Sequence, residues 1–257
     1  MRRIKIGNSL TAKFLPFILV FLLPEVGLAI PVEEIPRMQT DLQGKTTGEK
    51  IAFFAERFVG TPYDEDPLGL YVSKAQIVAD ERVDCMYLTF RSVELALSHS
   101  PEEAVQIALD KRFHSQGIFK DGRVTNYDDR FQYGEDMIQS GKWGREITAE
   151  IGRTIRIQGS RGRDFWEILP PKEIQQGTKK IKSGDILFFF TPPGKRKVEE
   201  GVGHIGFAKA EKGPGGERIY LIHASGSKNK SGAVKKVLLP DYIAKMPFVG
   251  VKITRFE

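Results

Sequence analysis

Residues 184–256 contain the stretch whose reading decides the fold: Gly184 to Thr191 (GDILFFFT), Val202 to Ala210 (VGHIGFAKA), Ile219 to Ala224 (IYLIHA), Ala233 to Leu239 (AVKKVLL) and Val249 to Phe256 (VGVKITRF). Each is a short run of β-branched or aromatic residues, and clusters of Gly, Pro and Lys separate them, which predicts a mostly antiparallel sheet. Upstream the pattern changes to helical. Ile51, Phe53, Phe54, Ala55 and Phe58 leave Glu56 and Arg57 outward and predict a short helix that stops at Gly60. A longer helix is expected from Asp84 to about Ser98 (DCMYLTFRSVELALS). A third opens at Ser100-Pro101-Glu102-Glu103, with a capping serine, proline at the first position and acids on the positive end of the dipole. Helices first and strands afterwards is the order of an α+β domain, with the helices packed on the sheet. Residues 114–183 are polar, irregular and rich in Gly and Arg, with one helix expected around Asp129 to Ser140.

The 257 residues are 40% hydrophobic and 28% charged, enough for one large core and incompatible with collagen-like, disordered or multi-span membrane chains. A net charge of +6 raises nucleic acid as a partner, so the location of the charge matters. Arg2, Arg3, Lys5 and Lys13 precede an apolar run, Phe14 to Leu23 (FLPFILVFLL), and small residues follow at Gly27 and Ala29. That is the pattern of a secretory signal over residues 1–29, cleaved after Ala29, with an apolar run too short to span a bilayer. Four cations ahead of the run fit a buried N-terminal helix poorly. Cleavage leaves 35 basic against 32 acidic residues, a charge of +3, and nucleic acid is no longer an expected partner. No cysteine stands at the cleavage point to carry a lipid, so the expected product is secreted without a stable membrane anchor, and periplasmic where the cell has an outer membrane. Residues 30–48 mix Pro, Glu, Thr, Gln and Gly without a period and read as a lead-in, with structure expected to begin at Gly48 and a single domain over residues 49–257. The basic clusters at Lys195-Arg196-Lys197 and Lys228 to Lys236 read as solvated turns, though a polyanionic envelope polymer would be attracted to them.

One cysteine excludes an internal disulfide and a thiolate-rich zinc site. An unused thiol in an exported protein invites oxidation. Cys85 falls in the first turn of the expected helix from Asp84, where free N–H groups and the macrodipole favour thiolate and can hydrogen-bond a neighbouring oxyanion. The plainer alternative is a small buried hydrophobe. His204 lies within one predicted strand (Gly203-His204-Ile205-Gly206) and His223 at the end of the next (Leu221-Ile222-His223-Ala224-Ser225), each flanked by small residues that would admit a substrate. Adjacent antiparallel strands can bring such side chains together, so one imidazole could take the thiol proton while the other orients the first. His99 and His114 lack that setting.

These residues resemble the successive motifs of the NlpC/P60 cell-wall cysteine amidases and peptidases: Val59-Gly60-Thr61-Pro62-Tyr63, Asp84-Cys85, Ser183 to Phe189, Gly203 to Gly206 and Ile222-His223-Ala224. Tyr127 to Ile151 and the ending from Ile222 to Phe256 resemble the DUF1460 branch, described as N-acetylmuramoyl-L-alanine amidase-like. The resemblance implies a papain-like core with Cys85 as nucleophile, His204 as base and His223 as the residue that orients it. It further implies that Tyr63 lines the site and that Asp84 is the acid before the nucleophile, both on the substrate side. Met86 departs from the Asp-Cys-Ser of many relatives, where the serine helps to hold a free L-Ala ammonium. Its presence fits a substrate whose L-Ala amine is acylated. The Asp64 to Val83 insertion is expected to wall the cleft. The implied activity is cleavage of the amide between muramic acid and L-Ala in peptidoglycan or muropeptide fragments, with no cofactor and no metal. Rival readings are a D-Glu-diamino-acid endopeptidase with the same triad, a metal-dependent amidase using His204, His223 and Asp185, and a non-catalytic wall-binding module.

Overall fold

A computed structural model describes residues 30–196, 199–213, 215–227 and 230–257. The expected signal segment, residues 1–29, lies outside the described residues, as do Lys197 and Lys228 of the basic clusters. Four helices precede the candidate nucleophile or carry it: α1 (Ile35–Asp41), α2 (Thr47–Arg57), the single turn α3 (Leu70–Ser73) and α4 (Cys85–Leu97), with α5 (Pro101–Lys111) after them. The central stretch holds β1 (Phe119–Lys120), β2 (Arg123–Val124), α6 (Gly134–Ser140), β3 (Arg145–Glu146), α7 (Thr148–Ile151), β4 (Ile155–Gln158), β5 (Phe165–Ile168) and α8 (Pro171–Gly177). The chain ends with β6 (Ile186–Phe190), β7 (Val202–Gly213), β8 (Gly216–Ser227), β9 (Lys230–Leu238), α9 (Leu239–Lys245) and β10 (Gly250–Arg255). The protein is α+β. Six strands form an antiparallel sheet in the order β3-β10-β6-β7-β8-β9, and β1-β2 and β4-β5 are separate hairpins.

The expected helices start where their caps dictate. Thr46 and Glu49 form a reciprocal capping box on α2, and the Ser100 hydroxyl accepts from the Glu103 N–H at the start of α5. β6 lacks the alternation of a half-buried strand because both of its faces are covered. Ile186, Phe188 and Phe190 join the core under α2, α4 and α5, while Leu187 and Phe189 join a second core with Ile151, Ile174, Leu239 and Ile243 from α7, α8 and α9. The sheet is therefore sandwiched, and no helix among the described residues is long and apolar enough to cross a membrane.

Three expectations need correction. Structure begins before Gly48, since α1 packs on α4, and buried Gln39 donates to the Leu95 and Ser98 carbonyls at 3.3 and 3.1 Å. The helix expected near Asp129 starts at Gly134, after a separate 3-10 turn at Tyr127–Asp129. Not every strand is late, because β3 supplies an edge of the main sheet.

Candidate active site

Cys85 is the first residue of α4. Asp84 is its N-cap, and the carboxylate accepts from the Tyr87 N–H at 2.8 Å. The thiol is half-buried at the end of the helix where the backbone N–H groups of the first turn lie outside the intrahelical ladder. Two buried ion pairs brace α4 further along its length. Arg112 and Glu94 are both fully buried, with Nε and Nη2 each 2.6 Å from a different carboxylate oxygen, and Arg112 Nη1 donates to the Ile77 carbonyl at 2.8 Å. Arg91 Nε lies 3.0 Å from Asp80 Oδ2, and Asp80 Oδ1 accepts from the Tyr87 hydroxyl at 2.7 Å.

His204 reaches the site through a defect in the sheet. Phe189 pairs with His204 and Phe190 with Val202, so the register skips Gly203 and the strand bulges there. A Cβ at Gly203 would lie 2.2 Å from Thr191 Oγ1, and one at Gly206 would lie 2.9 Å from the Ile222 carbonyl and 3.1 Å from His223 Cβ. These glycines serve close packing and the bulge, which corrects the expectation that they open room for substrate. His204 Nε2 lies 2.8 Å from His223 Nδ1, with the rings nearly perpendicular at 87°. With Nε2 taken, the Nδ1 side of His204 is left for another partner. Phe248 stacks on His204 at 7°, centroids 6.1 Å apart, and Tyr242 approaches His223 edge-on at 4.9 Å. Burial, then the neighbouring ring of His223, pushes His204 down to about 3, while burial and nearby Lys235 push His223 down to about 4. Both rings are neutral near neutral pH.

Tyr63, Asp84, Cys85 and His204 line one cleft of about 350 Å³, with His223 buried behind His204. The structure thus brings together every sequence-predicted site residue. Tyr63 is held by its N–H to the Gly232 carbonyl at 2.8 Å, and a Cβ on Gly226 would fall 2.3 Å from Tyr63 Cγ, so only glycine lets the strand pass the ring so closely. Burial raises the Tyr63 phenol well above its usual range, and Cys85 and Asp84 add to the rise. The insertion supplies Pro67, Leu68 and Tyr71 to the cleft wall, and Met86 lines it as well. Asp185 is elsewhere occupied: it is fully buried and grips Arg255 at 2.6 and 2.7 Å, so it does not join the two histidines.

Sequence reasoning missed several lining residues. Arg130, Tyr133 and Glu200 face the cleft, and Tyr242 and Phe248 surround the imidazoles. Arg130, Tyr133, Tyr242 and Phe248 all lie in the two stretches on which the resemblance rested, Tyr127 to Ile151 and Ile222 to Phe256, whereas Glu200 lies between strands with no period to mark it.

The fold has solved counterparts. A DUF1460 protein from Legionella pneumophila superposes with a TM-score of 0.64 at 15% identity, over 86% of this chain and 93% of that one. An N-acetylmuramoyl-L-alanine amidase from Bacteroides uniformis gives 0.60 at 20% identity, over 81% and 98%. A Bacteroides fragilis protein described as a candidate xylanase gives 0.56 at 19% identity, over 79% and 99%. At such identities the likeness concerns the fold. No protein-family model matches the chain, and no curated protein matches it in sequence.

Proposed function

We propose that the protein is a cysteine amidase of papain-like NlpC/P60 architecture, exported by residues 1–29 and acting on the N-acetylmuramoyl-L-alanine amide of peptidoglycan or its fragments. The observation that carries this reading is the 2.8 Å contact of His204 Nε2 with His223 Nδ1 behind a cleft that Cys85 lines from a helix N-terminus. His223 fixes the orientation of His204, whose Nδ1 then takes the thiol proton. The Cys85 sulfur attacks the lactyl carbonyl, and the first-turn amides of α4 hold the resulting oxyanion. His204 returns the proton to the departing L-Ala nitrogen, the C–N bond breaks and a thioester remains. Water, deprotonated by His204, hydrolyses it and releases the muramic acid. Support for the choice of bond comes from Met86, which offers no hydrogen bond to a free ammonium beside the thiol, and from the amidase name of the Bacteroides uniformis structure.

The test is incubation with defined muropeptides and weighing of the products. Loss of the whole stem peptide is expected, and Cys85→Ser should abolish it without moving the melting temperature appreciably, since the exchange changes nucleophilicity far more than volume. Masses from a cut after D-Glu would move the activity to the endopeptidase class. Turnover that survives in Cys85→Ser would remove the cysteine mechanism.

A further inference from the structure

The cleft contains a carboxyl group that the reaction above does not use. Glu200 lines it together with Asp84 and Cys85, two residues before β7 begins at Val202. Close to Glu200 lies Glu135, fully buried on α6. Glu135 Oε1 accepts from the Gly201 N–H and from the Ser160 hydroxyl at 3.0 Å, and Trp166 Nε1 donates to that same hydroxyl at 2.8 Å. Glu135 Oε2 is buried with no partner. A desolvated carboxylate oxygen lacking a donor is costly, and it makes its surroundings hospitable to positive charge.

Three arginines lie nearby, each making its hydrogen bonds or close contacts with other groups; Arg130 lines the same cleft and donates to the Tyr127 carbonyl at 2.9 Å. Arg161, from the β4–β5 turn, lies 3.4 Å from Asp136 and over the Tyr133 ring at 3.9 Å. Arg196 donates to the Gly159 and Gln158 carbonyls at 2.6 and 3.0 Å. Burial first, then Glu135, with Asp136 adding and Arg161 opposing, raises Glu200 to about 7. Holding a proton relieves the repulsion of Glu200 by Glu135.

From this placement we infer that Glu200 is a specificity-determining residue that receives an ammonium group of the substrate. The inference rests on the amidase reading and extends it. The L-Ala nitrogen of an uncleaved substrate is an amide, so the ammonium must belong further along the stem, on the side chain of a diamino acid. As it binds, Glu200 releases its proton to solvent and forms an ion pair in a partly desolvated site, whereas a neutral substituent offers Glu200 no counter-charge.

Two muropeptides matched except for the side-chain amine of the diamino residue, one free and one N-acetylated, test this with the full-length enzyme. The wild type should favour the free amine by about tenfold in kcat/KM, the worth of one charge-assisted hydrogen bond, and the preference should grow as pH rises through about 7. Glu200→Gln should erase the preference through KM. Glu135→Gln should move the rise in preference to lower pH. A Glu200→Gln enzyme that keeps the preference overturns the inference, and so does one that loses both substrates equally. Calorimetric binding of the same pair to Cys85→Ala gives an independent reading, so that a wild type inactive on both would sink the amidase assignment while the ammonium site is still judged by Kd.

Discussion

On the Cys85 side of the cleft the buried charged groups stand in ion pairs, whereas on the His204 side burial keeps two hydrogen-bonded imidazoles neutral inside a ring of aromatics. The Arg112 guanidinium is bracketed by both Glu94 oxygens and lies 5.0 Å from the centroid of the Tyr87 ring. His204 and His223 contact each other directly; His204 is bounded by the rings of Phe189, Tyr242 and Phe248, and His223 by that of Tyr242. The difference follows from the work each wall does. Asp84 caps the helix through the Tyr87 amide, and the charged supports of α4 lie in the core. The imidazole must accept a proton, so it must rest neutral.

Breaking the charged wall should have the largest effect. Glu94→Gln leaves the Arg112 charge buried without its counter-ion and should cost about 3–5 kcal/mol in denaturant unfolding, the usual penalty for one missing partner. A loss under about 1 kcal/mol would show that the pair is dispensable. Replacing both residues by apolar ones should recover much of the loss, which the single change cannot.

Next comes the neutral wall. If His223 orients His204, His223→Ala should lower kcat by about 10-fold to 1,000-fold with KM little changed, and His223→Gln or His223→Asn, which still offer a carbonyl oxygen, should retain more activity. Equal residual activity in the Ala and Asn variants would assign His223 some other task.

The smallest effect is on acid stability. Both histidines have folded pKa values below the ordinary 6.5, so the unfolded chain binds protons that the folded chain refuses. Their contribution is complete above pH 6.5 and declines as pH falls toward about 4 for His223 and about 3 for His204. His223→Asn should therefore flatten the drop in melting temperature between pH 7 and pH 5. An unaltered slope would mean that carboxylates alone carry the acid sensitivity.

These two walls were unequally legible in the sequence. The sulfur's placement could be read from Asp84 and the helical period after it, and the two histidines from strands bounded by glycine. The Gly203 bulge, which aims His204, depends on a register that only pairing with Phe189 and Phe190 reveals. Glu200 and Arg130 sit in loops whose course is set by long-range packing. α1 was obscured by its polar composition, although Ile35, Gln39 and Leu42 already mark one helical face. In the middle of the chain, strands of two to four residues are too short for any period to show.

The segment that delivers Tyr63 to the thiol also has a second consequence. Gly60 N–H donates to the Val234 carbonyl, Val234 N–H to Thr61 and Tyr63 N–H to Gly232, at 2.9, 2.9 and 2.8 Å, so four residues from early in the chain lie along the outermost strand of the sheet. A bare edge of that kind is a template for another chain. Lesions in the Gly60 to Tyr63 stretch should consequently reveal themselves first in the test tube as self-association and precipitation, with failed chemistry a later symptom.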